Sequence, residues 1–241
     1  MQDYQKRFVD FLVEAGAFRL GAFTLKSGRT SPTFVNTGLV EDGRGLRRLG
    51  EAYADRILEV VGREGFDSVF GPAYKGVPLA VATAIALADR EAVKPYLFDR
   101  KERKTHGEEA SSATSPDAAA ILVGHRPGAG ERIVLVDDVL TTGATKHEAV
   151  ALLRSLVPEV TFPALVVAVD RQEVGQDGQD AGSRFTAETG VPVHAVVKMT
   201  EVLGHLEHTG RMPTDDRGRC LEYLARHGTP EAKAWAARQV G

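Results

Sequence analysis

The chain has 241 residues, 43% of them hydrophobic, enough to bury one substantial core. Its 30 basic and 33 acidic residues leave a formal net charge of −3, which argues against a dedicated nucleic-acid surface with its strong basic excess. A lone cysteine, Cys220, excludes an internal disulfide framework and a cysteine-cluster metal site, and it suits a reducing cytoplasm. Asp3, Lys6, Arg7, Asp10 and Glu14 at the N-terminus do not read as a signal peptide. The most apolar stretch, residues 77–88, is too short to span a bilayer. A cytoplasmic protein with no membrane contact is the expectation.

Tyr4, Phe8, Phe11, Leu12 and Ala15 recur at helical spacing, so residues 2–15 are expected as an amphipathic helix stopped near Gly16. Residues 17–38 read as extended, with turns at Ser27-Gly28 and Ser31-Pro32. Leu46, Leu49, Tyr53, Ile57 and Val60 mark a second helix. Strands are expected at residues 68–72, 93–98, 133–136, 162–169 and 191–197, with helices at 77–88 and 143–156 between them. Strands alternating with helices imply right-handed crossovers and a parallel sheet covered on both faces. Residues 107–130 are rich in Gly, Ala, Ser and Pro and too long for an ordinary connection, which suggests a lid or an insert. Beyond Met199 the apolar spacing predicts three further helices with solvated charged faces.

The most informative stretch is Ile133-Val134-Leu135-Val136-Asp137-Asp138-Val139-Leu140-Thr141-Thr142-Gly143-Ala144-Thr145. A buried strand runs into two carboxylates, then a small-residue turn, then a helix start. The turn's N–H groups, the hydroxyls of Thr141, Thr142 and Thr145, and the positive helix end suit a phosphate. Asp137 and Asp138 can accept hydrogen bonds from neighbouring sugar hydroxyls and attract a divalent cation. Phosphate at one end and a cis-diol at the other describe a ribose 5-phosphate.

A second anion site is expected at Gly71-Pro72-Ala73-Tyr74-Lys75-Gly76, where a glycine-flanked turn lets the backbone approach a ligand and Lys75 adds a point charge. In an open parallel sheet, loops at the carboxyl ends of neighbouring strands share one crevice, so both sites face the same ligand. Arg100-Lys101-Glu102-Arg103-Lys104-Thr105-His106 opens the long loop with four fixed cations and a histidine. Such a run is usually a solvated face. Attached to a glycine-rich hinge beside two anion sites, it reads as a cover for a polyanion. Arg171, just past the strand of residues 162–169, offers a guanidinium fork for a planar carboxylate.

The segment VLVDDVLTTGATKHE resembles the phosphoribosyl-diphosphate (PRPP) signature of the type I phosphoribosyltransferases. LKSGRTSPTFVN at residues 25–36, GPAYKG, RKERKTHGE and VDRQE at residues 169–173 resemble, in order, the motifs of the orotate phosphoribosyltransferases. The resemblance implies an α/β fold: a Rossmann-like, mostly parallel sheet flanked by helices, as one domain. A small N-terminal hood (residues 1–40) would precede the core (41–199), whose lid spans 100–131, and a helical tail (200–241) would follow. It implies transfer of the 5-phosphoribosyl group of PRPP to orotate with Mg2+, giving orotidine 5′-monophosphate and diphosphate in pyrimidine synthesis. It also implies a homodimer in which the lid of one subunit covers the site of the other.

Carried over by position, Lys26, the backbone of Phe34 and Val35, Thr141 and Arg171 hold orotate. Tyr74 and Lys75 meet the diphosphate side of PRPP. Arg100, Lys101, Lys104 and His106 come from the lid, with Lys104 and His106 in catalytic roles. Asp137, Asp138, Val139, Leu140, Thr141, Thr142, Gly143, Ala144 and Thr145 bind the ribose 5-phosphate. Mg2+ would meet Asp137 and Asp138 indirectly, through PRPP and water. The family carries Gly-Glu-Gly after the lid histidine; here Gly107-Glu108-Glu109 follows it, and the lid is longer. A purine or uracil transferase is the nearest rival, and Lys26 and Arg171, both suited to a carboxylate, speak against it. A non-catalytic PRPP-sensing regulator would need a basic DNA-binding segment, which the N-terminus does not show.

Overall fold

The computed structural model describes residues 1–25, 28–102, 121–140, 144–175 and 178–239. Helix α1 (Asp3–Glu14) buries Phe8, Val9, Phe11 and Leu12 along one side, as its apolar spacing requires. Strands β1 (Phe18–Thr24) and β2 (Thr30–Val35) pair antiparallel, Phe18 opposite Val35 and Thr24 opposite Thr30. Gly28, at φ +79°, sits in the turn between them. Ser31 and Pro32 do not form the expected second turn; they lie inside β2. A two-stranded ribbon leaves each strand an unpaired edge, and there a proline's missing N–H removes no ladder bond.

Helix α2 (Gly43–Val60) starts earlier than its apolar spacing implies, because the Asp42 carboxylate caps the Gly45 N–H at 2.7 Å. Then follow β3 (Ser68–Gly71), α3 (Gly76–Ala88), β4 (Tyr96–Asp99), β5 (Leu122–Gly124), β6 (Ile133–Val139), α4 (Ala144–Leu156), β7 (Leu165–Asp170), α5 (Ala181–Thr189) and β8 (Val193–Lys198). The tail forms α6 (Met199–His208), α7 (Thr214–His227) and α8 (Pro230–Arg238). Six strands make one sheet in the order β5-β4-β3-β6-β7-β8, parallel throughout except that β5 runs antiparallel to β4. The α/β architecture and mostly parallel sheet match the expectation. Among the described residues, no helix is long and apolar enough to cross a membrane.

Two details depart from it. Residues 122–124, expected inside the lid, are an edge strand of the sheet, and the Arg100 N–H donates to the Ile121 carbonyl at 2.8 Å. The long excursion therefore leaves and re-enters at one place, pinned between β4 and β5. Helix α5 carries little apolar signal, burying only Phe185 and Thr189, and depends on the Asp180 cap and Gly190 stop at its ends.

The sheet divides the core in two. Val134 and Val136 of β6 join the cluster under α1, α2, α3 and the tail; Ile133 and Leu135 join the one under α4 and α5. Successive side chains leave a pleated strand on opposite faces, so a sheet covered on both sides reads as an unbroken apolar run. Each fully buried Leu or Phe contributes about 1.5–3 kcal/mol.

The turn after β3 is the tightest packing near the sheet's carboxyl end. A Cβ added at Gly71 would lie 1.9 Å from the Gly76 carbonyl oxygen. Gly71→Ala should therefore cost about 3 kcal/mol of stability, because backbone rather than a flexible side chain must move. Urea unfolding of the variant measures this, and an unchanged midpoint would contradict the close approach.

Candidate active site

The site is built at the carboxyl ends of β3, β6 and β7, beneath the β1/β2 ribbon. Strand β6 runs through both acids to Val139, rather than stopping at Val136. The pleat that separates Leu135 from Val136 also separates the two carboxylates. Asp137 meets Lys146 of α4 at 2.6 Å, both side chains no more than 10% exposed. Asp138 meets Lys75 on the other side, also at 2.6 Å. Their remaining oxygens are engaged by the backbone: Asp138 N–H donates to Asp137 Oδ1 at 2.8 Å, and Val139 N–H to Asp138 Oδ1 at 2.7 Å. Burial pushes the Asp137 carboxyl up against the pull of the Lys146 ammonium, and the charge of Asp138 adds to the push.

Three residues that sequence reasoning left in the scaffold hold this arrangement. Tyr53 of α2 donates its buried hydroxyl to the Asp137 carbonyl at 2.7 Å. Burial, then the charges of Asp138 and Asp137, raise its phenol well above the usual value, so it stays a donor. Asn36, just past β2, accepts from Lys75 Nζ at 2.9 Å and from the Gly38 N–H at 3.1 Å. Asp99, closing β4, accepts the Ala73 N–H at 2.6 Å and so anchors the turn that carries Tyr74 and Lys75. The Ala73–Tyr74 peptide in that turn is cis. Lys146 was read only as part of a helix start; a lysine three residues past a glycine turn gives no sequence sign that it will be buried on an acid.

Tyr74 is 76% exposed and projects from the turn, while Lys75 bends inward. Arg100 and Lys101 follow β4 at the start of the lid. Ala144 and Thr145 open α4, and Leu140 follows the end of β6. Phe34 and Val35 close β2; Val35 is buried, and Phe34 packs on Phe23 at 5.2 Å between ring centroids. Lys26, Lys104, His106, Thr141, Thr142 and Gly143 lie outside the described residues.

Arg171 stands just beyond β7. Val139 pairs with Val169, so Arg171 lies beyond the level of Asp138 at the same end of the sheet. Its Nε and Nη2 donate to Glu173 Oε1 at 3.0 and 2.7 Å, and Nη2 also reaches Ser31 Oγ on β2 at 3.1 Å. Strand β2 thus joins the site's two ends, Ser31 on Arg171 and Asn36, one residue beyond it, on Lys75.

No group of three or more His, Cys, Asp or Glu placed to hold a metal ion occurs among the described residues. With each oxygen of Asp137 and Asp138 already engaged, the donor set makes no protein cage for a cation. A cation would reach Asp138 only if Lys75 moved aside.

Comparison with known proteins accords with this geometry. Residues 38–184 match the model of the phosphoribosyl transferase domain. An orotate phosphoribosyltransferase of Methylococcus capsulatus is 40% identical over 230 residues, covering 95% of this chain and 100% of the relative. That of Halorhodospira halophila is 41% identical over 230 residues, covering 95% and 99%. The crystal structure of the Francisella tularensis orotate phosphoribosyltransferase superposes with a TM-score of 0.76 at 28% identity, over 92% of this chain and 100% of that one. The residues matched by that family model include the acid-bearing strand end and the helix start, in a phosphoribosyltransferase fold. This chain belongs to that family and, within it, to the orotate phosphoribosyltransferases.

Removing one partner of a buried ion pair strands the other charge. Lys146→Met should cost about 3 kcal/mol of stability. Urea denaturation compared with a Lys146→Met, Asp137→Leu double variant checks this: the double variant should recover most of the loss.

Proposed function

We propose that the chain transfers the 5-phosphoribosyl group of PRPP to orotate, releasing diphosphate and forming orotidine 5′-monophosphate for pyrimidine synthesis in the cytoplasm. The observation that carries this reading is the split acid pair of β6, ending at the start of α4 and facing Lys75, in a chain matched over 95% of its length by a relative of that name. The C1–oxygen bond to diphosphate breaks, the electron pair leaves with the diphosphate, and orotate N1 bonds to C1 after losing its proton.

Each residue has a task in that exchange. Ribose hydroxyls bind at Asp138, displacing Lys75 toward the diphosphate it then neutralises, with Tyr74 beside it, while Asp137, paired with Lys146, holds the strand end in place. The 5-phosphate sits on the turn of residues 139–145 at the positive end of α4. Orotate lies between Arg171 and the β2 segment of Phe34 and Val35, with Lys26 and Thr141 completing its contacts. Bound Mg2+ supplies charge neutralisation for the diphosphate. Arg100, Lys101, Lys104 and His106 close over the leaving group and exclude the water that would trap an oxocarbenium-like centre. A lysine about 4 Å from the departing charge gains roughly 4 kcal/mol at an effective dielectric near 20.

A second copy of the chain fits the outer side of α3. Pro78, Ile85 and Ala88 are exposed there in helical register, with Val93 and Tyr96 beside them. An all-round apolar helix at a surface asks for a partner. A homodimer on this face supports a lid shared between subunits.

Orotate should be the only base consumed when the protein is assayed with PRPP and Mg2+ beside uracil, hypoxanthine and adenine. Asp138→Asn should abolish turnover while the chain stays folded, and retained activity would remove the ribose assignment. Lys104→Ala should lower kcat about 100- to 1,000-fold, the size of one lost oxyanion donor; a near-normal rate removes it from the mechanism. Ile85→Arg should shift the sedimenting species from dimer toward monomer, and an unchanged sedimentation coefficient would clear α3 of the interface.

A further inference from the structure

We infer that the C-terminal tail is part of the base site, and that Tyr223 of α7, together with Glu173, positions the Arg171 guanidinium for an anionic planar base. The inference rests on the orotate reading above and extends it to residues for which a merely structural role was expected.

The segment after β7 is held from both sides. Val174 N–H donates to the His227 carbonyl at 2.9 Å and Thr229 N–H to the Gln172 carbonyl at 2.8 Å, while Glu173 bridges antiparallel to Gly228. The Thr200 N–H, at the start of α6, donates to Gln172 Oε1 at 2.9 Å. From the ribbon side, Arg29 Nη1 donates to the Val174 carbonyl at 2.7 Å. Arg171 and Glu173 therefore stand on a strip clamped between the ribbon and the tail.

Within that clamp the chemistry is incomplete. Both bonds from Arg171 to Glu173 land on Oε1, which leaves Oε2 for another donor. The Tyr223 hydroxyl is buried and forms no hydrogen bond of full geometry among the described residues, although Glu173 and Ser31 lie near enough to act on it. The ring is 8% exposed and packs against His227 at 4.9 Å between centroids. Glu173 and Tyr223 line one small cavity, where burial and then the charge of Glu173 raise the Tyr223 phenol while Arg171 lowers it, which keeps the hydroxyl protonated.

An orphaned buried hydroxyl needs a reason, since desolvation without a partner disfavours it. The electrostatics of an anionic ligand supply one. Glu173 orients Arg171, yet its charge would repel an incoming carboxylate sharing the same guanidinium. As the ligand takes up part of Arg171, the Tyr223 hydroxyl donates to Glu173 and absorbs the charge released. Tyr223 touches no reacting atom; it acts through Glu173 and Arg171.

The test is steady-state kinetics of the full chain with Tyr223→Phe, which removes the hydroxyl and keeps the ring. Orotate KM should rise about tenfold, the worth of one hydrogen bond to a charged group. PRPP KM should stay within about twofold, and the thermal midpoint should be unchanged or higher, because no bond of the free protein is lost. Combining Tyr223→Phe with Glu173→Gln should raise orotate KM no further than Glu173→Gln alone. An orotate KM equal to that of the unsubstituted chain overturns the assignment, as does a joint rise of both KM values with a lowered midpoint. An unsubstituted chain that consumes no orotate overturns the activity itself, and the assignment with it.

Discussion

The pleat of β6 is the constraint on which the site depends. Two adjacent acids on a strand must leave it on opposite faces. Here each finds a lysine: Lys146 from the helix that follows, Lys75 from the turn after the neighbouring strand. The pair is therefore not a chelate. One carboxylate is locked into the strand–helix junction, and the other is held by a cation that is half exposed and able to leave. That asymmetry separates structural from exchangeable charge within two residues. An excess of uncompensated negative charge would repel a polyanionic substrate; two ammonium groups remove it before the substrate arrives.

Strand β2 gives the site its length. It belongs to a small ribbon outside the main sheet, yet Ser31 on it bonds Arg171, and Asn36 just beyond bonds Lys75. One short strand thereby ties Arg171 and Lys75 into the same framework. Asp99 and Tyr53 act similarly from the core side, one fixing the diphosphate turn and the other the β6 carbonyl.

The tail extends this logic. Its helices add apolar contacts, Met199, Val202, Leu203, Cys220 and Leu224 among them, to the cluster under α1 and α2. The Cys220 thiol, pushed up to about 12 by burial, is part of that packing rather than a reactive group. Between α7 and α8 the chain pairs with residues 172–174, so tail stability and the orientation of Arg171 are one mechanical unit.

Much was legible in the residues alone. The alternation of apolar runs with helical spacing specified a parallel sheet clad on both faces, since only such a sheet lets a strand be apolar at every position. The stretch around Asp137 and the turn around Lys75 pointed to one shared crevice at the sheet's carboxyl end, and Lys75 does meet Asp138 there. Helix α5, the edge strand at residues 122–124 and the continuity of β2 through Pro32 were not legible: each rests on a neighbour distant in sequence rather than on a local pattern. The same holds for what Lys146, Tyr53, Asn36, Asp99 and Tyr223 do. The sequence by itself determined the class of chemistry and the strand ends that carry it. Tertiary structure alone decided which carboxylate is bound to which lysine, because partners 63 residues apart, such as Lys75 and Asp138, meet only when the sheet is assembled.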